Sequence, residues 1–227
     1  MILRKPRTAG SIGAPAPSSP AAPKAQAAGR SGQPSKLLQS LLEGLDPEQR
    51  YTVLHLGPAA PETIDFFCDY RCKLFFVDLI DQLEEIETQD PETSLEPLLA
   101  GQMQIPLGTR LDLCLFWDQL NYLDTRLLAA LARTIEPHLH AGTRAHGFAV
   151  HNARAARLDR LYAIGDAGTL VVRPREPAPP NYHPQTQGSL GKHLHCFNFD
   201  RTVLLAEGQL EWIASARGSH LRQTGLD

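Results

Sequence analysis

Gly57 and Asp78 are the residues of this chain whose types and spacing point most directly to chemistry. They lie in the stretch YTVLHLGPAAPETIDFFCDYRCKLFFVDL, from Tyr51 to Leu79. There an apolar run stops at a glycine turn, a helix-like segment follows, and a second apolar run closes on an acid 21 positions after the glycine. An acid about 20 residues beyond a first-strand glycine can accept hydrogen bonds from the ribose hydroxyls of a nucleotide. The turn reads Gly57-Pro58-Ala59-Ala60-Pro61, with one glycine where loops that cradle phosphates or cofactors usually have three.

A second set of reactive side chains follows two further apolar runs. Asp118, Asn121 and Tyr122 come after Leu111 to Trp117, and His151 and Asn152 come after Arg144 to Val150. Asp118 can orient or deprotonate a substrate amine, and Tyr122 can stack on a ring. The same residues also suit plainer work, with Asp118 ending a turn, Tyr122 packing under the next helix and His151 solvated. The pairs His138/His140 and His193/His195 with Cys196 do not match common zinc spacings, so no metal is expected. The acids between Asp78 and Glu96 match no calcium loop and lack its internal glycine. No G-x-S-x-G elbow or P-loop occurs, which removes those hydrolase and nucleotide-triphosphate readings.

These residues need elements to hold them. Ser35 can cap a helix carrying Leu37, Leu38, Leu41, Leu42 and Leu45 at helical spacing, with Pro47 stopping it. Tyr51 to Leu56 and Lys73 to Leu79 read as buried strands, joined by a helix from Pro61 to about Tyr70. Short helical material is expected around Gln82 to Glu87 and Glu92 to Ala100, then a short third strand at Met103 to Ile105. Leu111 to Trp117 is another buried strand. Asp124 caps a helix over Thr125 to about Leu139, Gly142 ends it, and Arg144 to Val150 is the next strand. Such alternation requires a parallel sheet, because parallel neighbours cannot be joined by tight turns. Beyond it, Leu161 to Ile164 and Thr169 to Arg173 form a hairpin. Pro174 to Gly191 is a proline-rich loop too polar for the core, and Phe199 to Leu205 pairs antiparallel with Gln209 to Ala214.

Composition bounds the rest. Residues 1–36 hold six basic residues and no acid, leaving 16 basic against 25 acidic residues in the remainder. The basic segment is mostly Ala, Pro, Ser and Gly without apolar periodicity. It cannot repay its ordering entropy by burial, so residues 1–34 are expected to be a disordered tail. Residues 35–216 form one domain and 217–227 a frayed end. Eight acids without a lysine or arginine between Asp78 and Glu96 would repel phosphates, which argues against nucleic acid on the folded domain. No window holds the 18 apolar residues of a membrane span. Four irregularly spaced cysteines read as free thiols in a reducing, cytoplasmic setting.

The order of these segments from Tyr51 to Ala214 resembles the class I S-adenosylmethionine-dependent methyltransferase superfamily. Val53-Leu54-His55-Leu56-Gly57 is similar to that family's first-strand motif, with Asp78 at its second-strand acid. Leu111 to Asp118, continuing through Asn121-Tyr122-Leu123, is similar to its fourth strand and loop, and Leu128 to Gly142 to the helix before its fifth. The resemblance implies a doubly wound, mostly parallel seven-stranded α/β sheet in the order 3-2-1-4-5-7-6, with helices on both faces and a C-terminal antiparallel hairpin. It implies S-adenosylmethionine held at Gly57, Ala59, Asp78 and Asp118, and methyl transfer to a small-molecule or protein acceptor with Asp118, Tyr122 and His151 as catalytic candidates. The chain departs from the pattern at His55, where the family has an acid, and at Ala59 and Pro61, where it has glycines. A β-carbon at Ala59 limits close approach, and Pro58 and Pro61 delete loop donors. The alternative is a catalytically inactive descendant kept for binding or regulation. A dinucleotide-dependent oxidoreductase shares the ribose acid but needs G-x-G-x-x-G, which is missing.

Overall fold

A computed structural model of the chain describes residues 31–80 and 93–217. The helical material expected at Gln82 to Glu87, the N-terminal tail and the last ten residues lie outside the described residues. Nine strands are described: β1 (Ser31–Pro34), β2 (Arg50–Leu56), β3 (Arg71–Val77), β4 (Leu113–Trp117), β5 (Arg144–Val150), β6 (Arg160–Asp166), β7 (Thr169–Pro174), β8 (Phe197–Leu204) and β9 (Gln209–Ala216). The described helices are α1 (Lys36–Leu42), α2 (Pro61–Phe67), α3 (Glu96–Met103), α4 (Thr125–Ile135) and α5 (Gln187–His193).

Six strands form the main sheet in the order β3-β2-β4-β5-β9-β8. The first four run parallel, while β9 is antiparallel to β5 and β8 antiparallel to β9. The β-strand periodicity of two assigns each strand residue to a face. Leu54, Leu56, Cys114 and Phe116 join one apolar cluster with residues of α3, α4 and α5. Val53, Leu113, Leu115 and Trp117 join the other, with α1, Phe67 of α2 and the strands β6 and β7. This explains why β4 is buried at every position: it is covered on both sides. Gly147 of β5 is fixed by packing, since a β-carbon there would lie 2.5 Å from Cζ2 of Trp212.

A separate three-stranded sheet, β1-β7-β6, lies on the second face. Its β6–β7 hairpin is the one expected from Leu161 to Ile164 and Thr169 to Arg173. The strand β1 lies in the segment that the sequence reading left in the tail; it pairs antiparallel with β7, and Ser35 beyond it donates its N–H to the Gly168 carbonyl. Ser35 then caps α1 by accepting from the Leu38 N–H at 2.8 Å. Its hydroxyl donates to buried Glu211, which also contacts His146 Nε2 at 2.8 Å.

Three expectations are corrected. The main sheet has six strands, not seven, among the described residues: the expected third strand at Met103 to Ile105 is instead the end of α3. Met103 is buried there under the helical layer, and Gln104 turns left-handed at φ 49°. The segment Pro174 to Gly191 is not free of structure or of core. Thr186 caps α5 within it, Leu190 is fully buried, and Arg175 and Gln185 are buried polar residues. The helix expected from Pro61 to about Tyr70 ends at Phe67, and Cys72 beyond it sits on β3. No helix among the described residues is long and apolar enough to cross a membrane.

Candidate functional site

In an open sheet of parallel strands, ligands bind beyond the carboxyl ends where the strand order reverses. Here that point lies between β2, whose continuation returns to β3 on one side, and β4 on the other. The loops after these strands carry Gly57, Asp78 and Asp118.

Gly57 has φ +120°, a conformation strained for any L side chain, and donates its N–H to the Val77 carbonyl at 2.7 Å. That bond ties the glycine turn to the end of β3 and makes Gly57 and Asp78 neighbours on one rim, as their spacing predicts. Ala59 is exposed at the tip of the loop, and Ala60 starts α2 without a side-chain cap.

The crevice beside them is filled from the β6–β7 hairpin. Arg175, just beyond β7, places Nη2 3.2 Å from both carboxylate oxygens of Asp78; the two side chains are only 7% and 17% exposed. Asp78 Oδ1 also accepts from the Ile80 N–H at 3.3 Å. Leu161 of β6 stands in the wall of two hollows. One, of about 390 Å³, is bounded by Asp78, Arg175 and the proline-rich segment. The other, of about 260 Å³, is bounded by His55, Gly57, Trp117, Gln119 and Tyr162. The hairpin is also pinned to α2: Arg173 forms an ion pair with Glu62, and the Ile164 N–H donates to Thr63 Oγ1 at 3.0 Å, with Thr63 and Ile164 fully buried.

Trp117 has φ +51°, a left-handed backbone rarely adopted by an aromatic residue, where the register of β4 against β5 shifts. Its indole N–H donates to His55 Nε2 at 2.9 Å, and its ring stacks on Tyr162 at 6.0 Å. Burial drives the His55 pKa down to about 4, so the ring is neutral near pH 7.

Asp118 is buried, and no other side chain hydrogen-bonds its carboxylate, which only the backbone N–H groups of Asp118 and Arg160 approach. Burial pushes its pKa up to about 8, opposed in part by the Arg175 charge, so the carboxyl group is largely protonated at pH 7. Only about 10 Å³ of space adjoins it, on the order of a single water. Tyr122 belongs to the same cluster. Its hydroxyl donates to Asp159 Oδ1 at 2.8 Å, its ring contacts Tyr182, and burial raises its pKa. His151 is exposed, and its backbone N–H donates to the Gly208 carbonyl. Asp118 and Tyr122 are thus brought together, and His151 is left outside their buried cluster. Asn121 fastens the proline-rich segment over them. Its Oδ1 accepts from the Gln185 N–H at 2.9 Å, and its carbonyl accepts from the His183 N–H at 2.7 Å. Among the described residues no group of three His, Cys, Asp or Glu is placed to hold a metal.

Sequence reasoning missed Arg175, Leu161 and Gln119. The available signal was Arg173-Pro174-Arg175, two cations at the start of a proline-rich segment in an acidic body. Its partner lies 97 residues earlier, a pairing that no local pattern encodes.

No protein-family model matches the chain, and no curated protein matches it. Solved structures similar to it include S-adenosylmethionine-dependent methyltransferases. A TehB-like one from Corynebacterium glutamicum is 11% identical over 79% of this chain and 87% of that one, with a TM-score of 0.42. The glycopeptide N-methyltransferase MtfA, complexed with (S)-adenosyl-L-methionine, is 13% identical over 80% and 93%, with a TM-score of 0.43. The pyocyanin biosynthetic protein PhzM is 14% identical over 79% of this chain and 54% of its own, with a TM-score of 0.44. The chain spans about half the length of PhzM.

Proposed function

We propose that this chain is a methyltransferase-fold protein that takes S-adenosylmethionine at the Gly57–Asp78 rim only after its β6–β7 hairpin lifts. Methyl transfer to a small-molecule or protein acceptor is its activity in that open state. The observation that carries this reading is the Arg175 guanidinium on the Asp78 carboxylate, where ribose hydroxyls would otherwise be received.

In the closed arrangement the ribose acid is occupied by Arg175. Asp78 is engaged, and Leu161 divides the crevice into hollows of about 390 and 260 Å³. Drug-sized ligands occupy pockets of roughly 300–1,000 Å³, and the smaller hollow falls below that range. When the hairpin is lifted, Gly57 allows close backbone approach, Asp78 exchanges Arg175 for the ribose, and Ala59 borders the ligand. Asp118 and Tyr122 become accessible only if the segment held by Asn121 also moves. His151 already stands at the surface.

Closure weakens apparent affinity by the fraction of molecules that are open. Calorimetric titration of S-adenosylmethionine and S-adenosylhomocysteine into the native chain and into Arg175→Leu tests this directly. The variant is expected to bind at least tenfold more tightly, and Asp78→Asn more weakly. Equal affinity of the native chain and Arg175→Leu contradicts the latch. Absence of heat with both proteins at millimolar ligand favours a second reading, a non-catalytic binding module. That reading draws support from Pro58 and Pro61, which remove donors from the turn, and from the Asn121–Gln185 bond that seals Asp118.

A further inference from the structure

The Arg157 guanidinium sits in a cage with the parts that an external cation would need. Its Cζ lies 5.6 Å from the centre of the Tyr122 ring and 5.2 Å from that of Tyr182. Nε donates to Asp159 Oδ1 at 2.7 Å, and Nη2 donates to the Pro179 carbonyl. Two ring faces, a carboxylate and a carbonyl together favour a planar cation with N–H groups around its edge.

The walls of the cage are held by bonds that do not involve Arg157. Tyr122 is fully buried in the loop after β4, and its hydroxyl donates to Asp159 Oδ1 at 2.8 Å. The Asp159 carbonyl accepts from the Arg175 N–H at 2.9 Å, and the Tyr182 ring meets the Tyr122 ring at 5.6 Å between centres. His183, the residue after Tyr182, donates its N–H to the Asn121 carbonyl. Arg157 is fastened less firmly. It belongs to residues 151–159, which form no helix or strand, and its side chain is 29% exposed. An ion pair with this much access to water contributes about 1 kcal/mol or less, so a ligand of the same geometry can take its place.

Arg157 and Asp159 also border a hollow of about 740 Å³. That volume is within the range of roughly 300–1,000 Å³ that small molecules occupy. The other charged residues of its wall are matched, Arg160 and Glu207 with each other and Arg173 with Glu62. A molecule lying there can turn one guanidinium into the cage and needs no further charge.

We propose that the Tyr122–Tyr182–Asp159 cage binds a small guanidinium compound, and that Arg157 is the internal cation such a ligand displaces. The incoming group donates to Asp159 and to the Pro179 carbonyl between the two rings, and its uncharged remainder lies in the hollow. The site is complete without S-adenosylmethionine and does not rest on the cofactor reading.

The test uses the full-length chain with ¹³C-labelled tyrosine rings, native and Arg157→Ala, titrated with N-butylguanidinium at constant ionic strength. Saturable shifts of the Tyr122 and Tyr182 ring signals are expected in both proteins. The native chain should bind about tenfold more weakly, because the tethered Arg157 competes at a high effective concentration. N-butylurea, of the same shape without the charge, should move neither signal. Adding Asp159→Asn to Arg157→Ala should weaken guanidinium binding about tenfold, the loss of one charge-assisted hydrogen bond. The proposal is overturned if folded Arg157→Ala shows no shift at about 100 mM, a concentration that reveals affinities of tens of millimolar. It is also overturned if the urea binds as well as the guanidinium. Saturation of the variant with no response from the native chain overturns it too, since Arg157 would then be a fixed strut. Should Arg157→Ala fail to fold, the native titration decides alone: silence with the guanidinium, or equal shifts with the urea, counts against the site.

Discussion

Replacing Thr63 with Val perturbs the closing hairpin without touching a group that would contact a nucleoside. Thr63 Oγ1 accepts the Ile164 N–H at 3.0 Å between two fully buried residues. Valine preserves the branched shape but leaves that backbone donor buried and unpaired, a penalty of about 1–3 kcal/mol. The Arg173–Glu62 and Arg175–Asp78 pairs remain, so the hairpin is weakened rather than released. If the penalty falls on hairpin docking, the open population rises between about 5-fold and 150-fold. Apparent affinity for S-adenosylhomocysteine rises by the same factor until the open form predominates. Hydrogen exchange of the peptide over residues 160–174 reports docking, and calorimetry on the same sample reports affinity. Faster exchange in the hairpin with unchanged S-adenosylhomocysteine affinity would refute the coupling. Unchanged exchange with a lower melting temperature would show that the bond serves the whole fold instead.

Two further perturbations test the packing and electrostatics around the site. Gly147→Ala places a β-carbon 2.5 Å from Trp212 and 3.0 Å from the Trp117 carbonyl, so it should lose about 1–3 kcal/mol or more in urea denaturation. Stability against pH separates two buried groups of opposite sign. His55, with its folded pKa lowered to about 4, contributes stability that is present above its unfolded value of 6.5 and lost as pH falls from there toward 4. Asp118, with its folded pKa raised from 3.8 to about 8, contributes stability that is present below 3.8 and lost as pH rises through 8. Their slopes, each about 1.4 kcal/mol per pH unit, oppose one another between pH 4 and 6.5. Asp118→Asn should therefore gain stability with rising pH in that window, where the native chain stays nearly flat, and should lose the native decline between pH 6.5 and 8. A native profile that rises steeply from pH 4 to 6.5 would contradict these assignments.

Much of the scaffold was legible because its signals are local. Continuous apolar runs such as Leu113–Trp117 announce strands covered on both faces, and the Asp124 cap and apolar stripe of α4 announce a helix. The Gly57–Asp78 spacing was legible for the same reason, since the βαβ geometry fixes where two successive strand ends meet. Met103 misled because a short apolar trio reads equally as strand or helix end. Pro174 to Gly191 looked too polar for the interior, yet Arg175 and Gln185 are buried because Asp78, Asn121 and Leu123 receive their donors. Those partnerships span more than sixty positions of sequence, and only the folded chain brings them together. Trp117 shows the same limit: its left-handed backbone follows from a register shift against β5, not from its residue type.

A crystal structure of the full chain grown with S-adenosylhomocysteine tests the central claim most directly. The account predicts the ribose hydroxyls on the Asp78 carboxylate, the Arg175 guanidinium displaced and Leu161 moved off the rim with the hairpin. A nucleoside bound elsewhere, with the Arg175–Asp78 pair intact at 3.2 Å, would contradict it.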